Sequence, residues 1–227
     1  MADSAARVAS RPTQRERAAA EARTKILAAA ADCIVRDGLA QVRMASIARA
    51  AGVSAGLLHY HFDTKELLFG EVLTYSHGVS SQLNQRAMAG AGEGPAERLS
   101  AFLDRCLPSD EQRAHEWLLW QELALLCIRD PHLAKVGADL YDDLYATVAD
   151  IVREGLVAGV FDTALDPRSL AESAVALTDG LGARVLARDP NLGLDEARSA
   201  IATTVGILVG HKGPLPPPAP FDDGAGA

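Results

Sequence analysis

The sequence predicts an all-α protein. Between its two ends, nearly every segment repeats its apolar residues at the period of a helix, and no segment shows the alternation typical of a half-buried strand. The chain has 227 residues, 48% of them hydrophobic, which is enough to form a packed core. We therefore expect a folded protein built from helices.

The first four predicted helices are marked by their start and stop residues. An apolar stripe over residues 23–36 ends at Gly38, and glycine is a usual residue just after a helix. Two short helices follow, over residues 44–51 and 55–62. In "DTKE", Asp63 is placed to cap the next helix, with a glutamate three residues later, and this helix continues to about residue 88.

The later helices follow the clearest internal break, "AGAGEGP" at residues 89–95. Pro131 and Pro167 then mark helix starts, because proline is tolerated in the first turn of a helix. The remaining predicted helices cover residues 95–107, 110–129, 131–160, 167–188 and 194–211.

The two ends carry no apolar period. Residues 1–20 are polar and rich in alanine, which predicts a flexible N-terminal arm. Residues 213–227, "GPLPPPAPFDDGAGA", contain closely spaced prolines that prevent a helix from continuing. We predict a disordered Pro/Gly-rich tail there.

Cysteine use and hydropathy bear on the compartment. Cys33, Cys106 and Cys127 lie far apart in helical segments, which predicts reduced, buried thiols. The N-terminus lacks the apolar core of a signal peptide, and no run approaches the ~18 apolar residues of a membrane span. We expect a cytoplasmic protein that does not contact membranes.

Charge is distributed unevenly along the chain. The net charge is −8, yet residues 1–70 carry 10 Lys/Arg against 7 Asp/Glu, leaving 12 against 23 for the rest. A locally basic end on an acidic body allows contact with a polyanion, but the surplus is small and needs a motif beside it.

That motif lies in the two short helices. Leu58 and Phe62 mark the buried stripe of the second short helix, so Tyr60 and Gly56 point the opposite way, where no acid lies. Gly52 permits the tight turn between the helices. Ser54 is placed to cap the second helix and to aim its free amides at phosphate, and the Lys65 ammonium can hold another phosphate. An ordinary helical hairpin is the alternative, but this arrangement favours DNA binding.

The run "ILAAAADCIVRDGLAQVRMASIARAAGVSAGLLHYHFDTKELL" resembles the DNA-binding domain of TetR-family transcriptional regulators. The resemblance implies a homodimer on a palindromic double-stranded operator, with the start of the recognition helix, residues 55–57, closest to the base edges. Arg43 departs from the family, because a Ser or Thr usually caps the first short helix. The missing cap costs about 1 kcal/mol of helix stability, but the arginine offers a cation near the DNA backbone. His59 replaces a common tyrosine. The resemblance implies contacts from Ser54, Ala55, Gly56, Leu57, Tyr60, His61 and Lys65. With the two departures, Arg43 and His59, these are the candidate DNA-binding residues.

The later helices, with "WLLWQELALLCIRDP" and "EGLVAGVF", resemble the C-terminal domain of the betaine-repressor-like branch. Helices 167–188 and 194–211 are apolar around much of their circumference; they are either central to the monomer or, as the resemblance implies, pair with a second chain. The expected organisation is a flexible arm (1–20), a three-helix helix-turn-helix DNA-binding domain (21–68), a larger helical effector-binding and dimerisation domain (69–212) and a tail (213–227).

Aromatic residues on two helices suggest an effector site. Trp117 and Trp120 recur at helical spacing on one helix, as Tyr141 and Tyr145 do on another. Such residues often form plain core, but they can also cage a quaternary ammonium such as a choline-like effector, or hold a flat apolar ligand. The candidate contacts are Trp117, Trp120, Gln121, Tyr141, Tyr145 and Thr178, with Glu122, Asp179 and His115 as further polar candidates.

Other functions find less support. The chain lacks HExxH, P-loop and dinucleotide motifs. Ser54 and His61 could suggest nucleophilic catalysis, but no positioned acid follows them in the sequence. His59 and His61 would diverge by about 200° on a helix, so they could not share a metal ion. We expect no catalytic residue, metal site or cofactor. The sequence predicts a ligand-released repressor; the alternative is an effector-independent DNA-binding protein, either a constitutive repressor or a chromosome-organising factor.

Overall fold

The computed structural model describes residues 13–218, and over that range the protein is all-α, as predicted. None of the helices in this range is long and apolar enough to cross a membrane. The chain divides into two compact units, Met1–Val72 and Leu73–Ala227, a few residues after the expected boundary between residues 68 and 69. The helices are α1 Gln14–Asp37, α2 Met44–Ala50, α3 Ala55–His61, α4 Lys65–Gly90, α5 Pro95–Arg105, α6 Glu111–Arg129, α7 Pro131–Val157, α8 Pro167–Leu186 and α9 Leu194–Leu208.

The N-terminal arm is shorter than predicted, because α1 begins at Gln14 rather than near residue 23. A capping box starts it: the Glu16 N–H donates to the Thr13 hydroxyl, and the Thr13 N–H donates to the Glu16 carboxylate. The first two turns are largely exposed, so they have no apolar stripe by which the periodicity could mark them. Residues 1–12 lie outside the described range.

The first unit packs α1, α2 and α3 around a small apolar core. Ile26, Ile34 and Ile47 are fully buried, and Leu58 closes over them at 1% exposure. Gly52 in the α2–α3 turn has φ +67°, and a Cβ there would meet no atom within 4 Å. The turn therefore needs glycine for its backbone conformation rather than for space.

The start of α4 differs by one residue from the prediction. Thr64, not Asp63, is its N-cap, because the Leu67 N–H donates to the Thr64 hydroxyl at 3.2 Å. The helix then runs without interruption to Gly90.

The second unit is organised around α7, which packs against α5, α6 and α8, while α8 also packs against α9. Phe102, Val148, Ile151 and Leu170 are among its fully buried core residues. The three cysteines are free thiols, as predicted. Only Cys33 is fully buried; Cys106 and Cys127 are half-buried.

Three of the helices that end earlier than predicted, α7, α8 and α9, are each followed by a residue with positive φ. Gly159 follows α7 and has φ +67°, Arg188 follows α8 with φ 55°, and Gly210 follows α9 with φ +67°. A left-handed residue cannot continue a right-handed helix. These ends therefore lie at residues 157, 186 and 208 instead of 160, 188 and 211.

The C-terminal segment was predicted to be disordered from residue 213, and for residues 213–218 this is wrong. The Leu215 side chain is 4% exposed, and its N–H donates to the Ala202 carbonyl at 3.0 Å. The Ser100 hydroxyl donates to the Pro216 carbonyl at 2.6 Å. Proline excludes helix but not an extended segment that docks on α5 and α9. Residues 219–227 lie outside the described range.

Candidate nucleic-acid interface and ligand cavity

The second short helix presents the face that the sequence predicted. Leu58 and Phe62 are buried, whereas Tyr60 is 75% exposed. The Ser54 hydroxyl accepts a hydrogen bond from the Leu57 N–H at 3.1 Å, which confirms the predicted N-cap. Gly56, in the first turn of α3, is exposed, so the amino end of the helix is accessible. No acidic residue lies on α3 to oppose an anion there.

Arg43 is the N-cap of α2 and makes no capping hydrogen bond through its side chain. The cap is supplied from the other end: the Arg43 N–H donates to the Ser46 hydroxyl at 3.3 Å, and that hydroxyl donates to the Arg43 carbonyl at 2.7 Å. Sequence reasoning missed this reciprocal contact. It leaves the exposed Arg43 guanidinium available for an anion while limiting the expected cost in helix stability.

Lys65 and His61 are more constrained than the sequence implied. The Lys65 ammonium donates to the Leu39 carbonyl at 3.2 Å and lies 5.2 Å from the centre of the Phe69 ring. An ammonium has three donors, so this bond still leaves two for phosphate. The His61 ring stacks edge-on with Tyr60 at 5.2 Å, and its Nε2 is buried without a partner in the described range. His59 is exposed.

The second unit contains a cavity of about 160 Å³ whose walls come from α4 to α8 and the turn after α5. Four of the predicted effector contacts line it, namely Trp117, Trp120, Gln121 and Tyr141, and so does the further candidate Asp179. Trp117 is fixed by its indole N–H, which donates to the Cys106 carbonyl at 3.0 Å, and its ring packs against Gly182, where a Cβ would lie 2.4 Å from it. The cavity therefore has a rigid aromatic wall.

A carboxylate faces this aromatic wall. The Tyr141 hydroxyl donates to Asp179 Oδ2 at 3.0 Å, and within the described range no cation pairs with Asp179. Burial raises the pKa of Asp179 above its ordinary value, while the bond from Tyr141 opposes that shift. Burial and the nearby Asp179 charge raise the pKa of Tyr141, which keeps it a donor. Burial also raises the pKa of Cys106 to about 12, so its thiol stays neutral.

Two family models match this chain, one over each unit. Residues 26–72 match the family model of bacterial regulatory proteins of the tetR family, and residues 95–210, about half of the chain, match the model of the BetI-type transcriptional repressor C-terminal domain. The chain belongs to the TetR family of transcriptional regulators. Its second domain is of the BetI type, as the resemblance implied.

Individual relatives of this TetR-family regulator are also described as transcriptional regulators. The HTH-type transcriptional regulator BetI of Agrobacterium fabrum is 29% identical over 183 residues, 79% of this chain and 84% of that protein. A TetR-family structure from Rhodococcus sp. has a TM-score of 0.75 at 26% identity, covering 84% of this chain and 99% of that one. A regulator from Saccharomonospora viridis, solved in complex with choline, has a TM-score of 0.72 at 31% identity, covering 80% and 94%.

Two of the predicted effector contacts in this regulator do not line the cavity. Tyr145 contacts the Tyr141 ring at 5.8 Å and carries the Arg168 guanidinium 4.6 Å from its ring centre. Thr178 is 1% exposed, and its hydroxyl donates to the Ala174 carbonyl at 2.9 Å. Helical spacing suggested Tyr145, and Thr178 was a candidate polar contact, but both side chains pack beside the cavity instead of lining it. Glu122 and His115 do not line the cavity either.

Sequence reasoning also missed a polar network in the cavity wall. Arg105 is 4% exposed and donates to both oxygens of Glu116, at 3.1 and 3.0 Å. The Ser80 hydroxyl on α4 donates to Glu116 at 3.2 Å. The three side chains belong to three different helices, so no spacing within one segment could have indicated them. Glu116 neutralises the charge of Arg105, although the Arg105 Nε has no hydrogen-bond partner in the described range. Within the same range, Asp179 is left as the carboxylate of the cavity without a cationic partner.

Proposed function

We propose that this regulator is a repressor that binds a palindromic operator as a homodimer and leaves it when a small organic cation fills the cavity of the second unit. The Asp179 carboxylate carries this proposal, because it faces the aromatic wall of the cavity and has no cationic partner in the described range. A regulator of this kind acts in the cytoplasm, where bacterial DNA lies.

The DNA-binding side rests on α3 and its neighbours. The amino end of α3, capped by Ser54, offers amides to phosphate. Tyr60 and His61 at the end of α3 and Lys65 at the start of α4 would add further phosphate contacts. Ala55, Gly56 and Leu57 carry no side-chain donor or acceptor for base edges. Discrimination among operators would then come from thymine methyl groups, from Arg43, from Tyr60, or from DNA shape. His59 is exposed beside them and completes the proposed surface.

Dimerisation would use α8 and α9, the observed forms of the predicted helices 167–188 and 194–211. Of the apolar residues on these two helices, Leu170, Val175, Ile201 and Val205 are buried inside the second unit. Others remain partly accessible, and Ile207 is 73% exposed. A symmetric interface would cover them. The half-buried apolar residues include Leu177, Leu181, Val185 and Leu208.

The cavity supports a cationic effector through two attractions. A quaternary ammonium cannot donate a conventional hydrogen bond, so it is recognised by a carboxylate and by the faces of aromatic rings. Asp179 supplies the first, and Trp117, Trp120 and Tyr141 supply the second. The S. viridis regulator, similar to this chain, was solved with choline, a ligand of this chemistry.

Release requires that the effector bind the DNA-incompetent state more tightly. A hundredfold preference corresponds to about 2.7 kcal/mol of coupling. Ser80 and Asn84 of α4 line the cavity, and α4 begins at Lys65. A shift of this helix on binding would therefore carry a phosphate contact with it, which changes the spacing between two recognition helices in a dimer.

Selection of bound DNA from genomic fragments tests the proposal. We expect one palindromic motif, bound with steep salt dependence, and a complex that choline dissociates in a mobility-shift assay while raising the melting temperature of the free protein. Motif binding with no response to choline or to other organic cations would support the effector-independent alternative. A failure to bind any duplex would overturn the DNA-binding role of the α3 face.

A further inference from the structure

The α4 wall of the cavity carries a buried carboxamide that the packing leaves unpaired. Asn84 is 6% exposed and lines the cavity, and within the described range its side chain has no hydrogen-bond partner. We propose that Asn84 is a specificity-determining residue that binds an uncharged oxygen, a hydroxyl or a carbonyl, on the organic cation. This inference rests on the proposed function of the cavity.

The other buried polar side chains of the cavity each have a partner, and the unpaired nitrogens among them, the Nε atoms of Arg105 and Arg113, are themselves buried and cannot meet a ligand. Ser80 and Arg105 both bond to Glu116, and Tyr141 bonds to Asp179. Arg113 donates to the Ser109 hydroxyl at 2.7 Å and pairs with Asp104 at 3.5 Å. Gln121 is also in the lining, but it is exposed and can be solvated from outside. Asn84 is therefore the buried cavity group whose hydrogen bonds must come from whatever occupies the space.

A buried amide without a partner is unfavourable, because it has lost water without gaining a replacement. In the unliganded protein, water in the cavity can serve Asn84. A ligand that displaces this water must reproduce its hydrogen bonds or lose affinity. An entirely apolar cation would leave the amide unpaired, whereas a ligand oxygen can accept from the NH₂ group, and a hydroxyl can also donate to the carbonyl.

Asp179 does not take this role from Asn84. Its carboxylate is the group suited to the cationic head, and it already accepts from Tyr141. Asp179 lies on α8 and Asn84 on α4, so the two groups belong to different walls of the cavity. A ligand that carries both an ammonium and an oxygen offers a partner to each group.

The test uses two ligands of the same size, choline and n-propyltrimethylammonium, which differ only in that a methyl group replaces the hydroxyl. Titration calorimetry on the full-length protein measures both dissociation constants. We expect the wild type to prefer choline by about tenfold. In Asn84→Leu the preference should disappear, with choline weakened and the propyl compound unchanged or tighter.

Two further variants keep the result interpretable. Gln85→Leu removes a carboxamide from the exposed face of the same helix and should retain the preference for choline. Asn84→Ala removes the carboxamide without adding apolar groups to the cavity, and circular dichroism and operator binding check that each variant is folded. If one of the two Asn84 variants is not folded, the folded one decides.

The outcomes separate this inference from the proposed function. If wild type binds both cations equally, or if the folded Asn84 variants keep the preference, Asn84 does not read the oxygen, although the cationic effector stands. If the wild type binds its operator but neither cation, the cationic effector is wrong and the role of Asn84 falls with it.

Discussion

Asp179→Asn removes the one unpaired charge of the cavity while keeping its shape. The asparagine carbonyl can still accept from Tyr141, so the 3.0 Å hydrogen bond should persist. At an effective dielectric constant of 20, a carboxylate and an ammonium about 5 Å apart attract by roughly 3 kcal/mol. Desolvation of both charges offsets part of this. We expect the binding free energy of choline to be about 2 kcal/mol less favourable in the variant, which corresponds to a roughly 30-fold larger dissociation constant.

The same substitution should stabilise the unliganded protein. Burial raises the pKa of Asp179 in the folded state, so its ionised form opposes folding at neutral pH. Folding stability is therefore higher below the unfolded pKa of Asp179, where the carboxyl is protonated, and it falls as the pH rises through the folded pKa. Asparagine removes that penalty, so the melting temperature of the free protein should rise. For wild type, choline affinity should fall as acidification protonates Asp179.

Calorimetry with choline and with 3,3-dimethyl-1-butanol, its uncharged isostere, measures the effect. The neutral alcohol should bind wild type and Asp179→Asn with similar affinity, because it has no charge to lose. Equal weakening of both ligands would indicate a change of cavity shape, and unchanged choline affinity would show that the Asp179 charge does not hold the cation. Either result would refute the electrostatic reasoning.

The remaining predictions concern the first unit. Tyr60→Ala should weaken operator binding in a mobility-shift assay without changing the melting temperature, since Tyr60 is 75% exposed. Leu58→Ala should lower the free energy of unfolding by about 2 to 5 kcal/mol in urea titrations, because Leu58 is buried; inverted results for this pair would reverse the assigned faces of α3. Gly52→Ala should cost about 1 kcal/mol from its φ of +67° alone, with no steric clash; a much larger loss by the same titration would contradict the open space around it.

Much of the fold could be predicted because helix periodicity is a local property. Leu58 and Phe62 stand one helical turn apart, which is sufficient to place them in the core and Tyr60 outside. The start of α1 could not be found in the same way, since its first turns are exposed and depend on the Thr13–Glu16 capping box. Leu215 was missed because a proline-rich extended segment has no period, although it can still dock.

The cavity was only half predictable for a similar reason. Trp117 and Trp120 stand out as aromatic residues at helical spacing, but so do Tyr141 and Tyr145, and only packing shows that the last of them lies outside. Asn84 and Arg105 look like ordinary helix residues in the sequence. Their significance depends on what neighbouring helices leave paired or unpaired, and this information is not local to either segment.

The docked segment after α9, residues 213–218, affects how expression vectors for this regulator should be designed. Trimming the chain at residue 212 as a proline-rich end would uncover the site that Leu215 fills and deprive the Ser100 hydroxyl of the Pro216 carbonyl. Gly206 lies directly under the segment, where a Cβ would come within 2.7 Å of the Gly213 carbonyl oxygen. Shortened versions should therefore stop no earlier than Pro218, and purification handles belong beyond that residue.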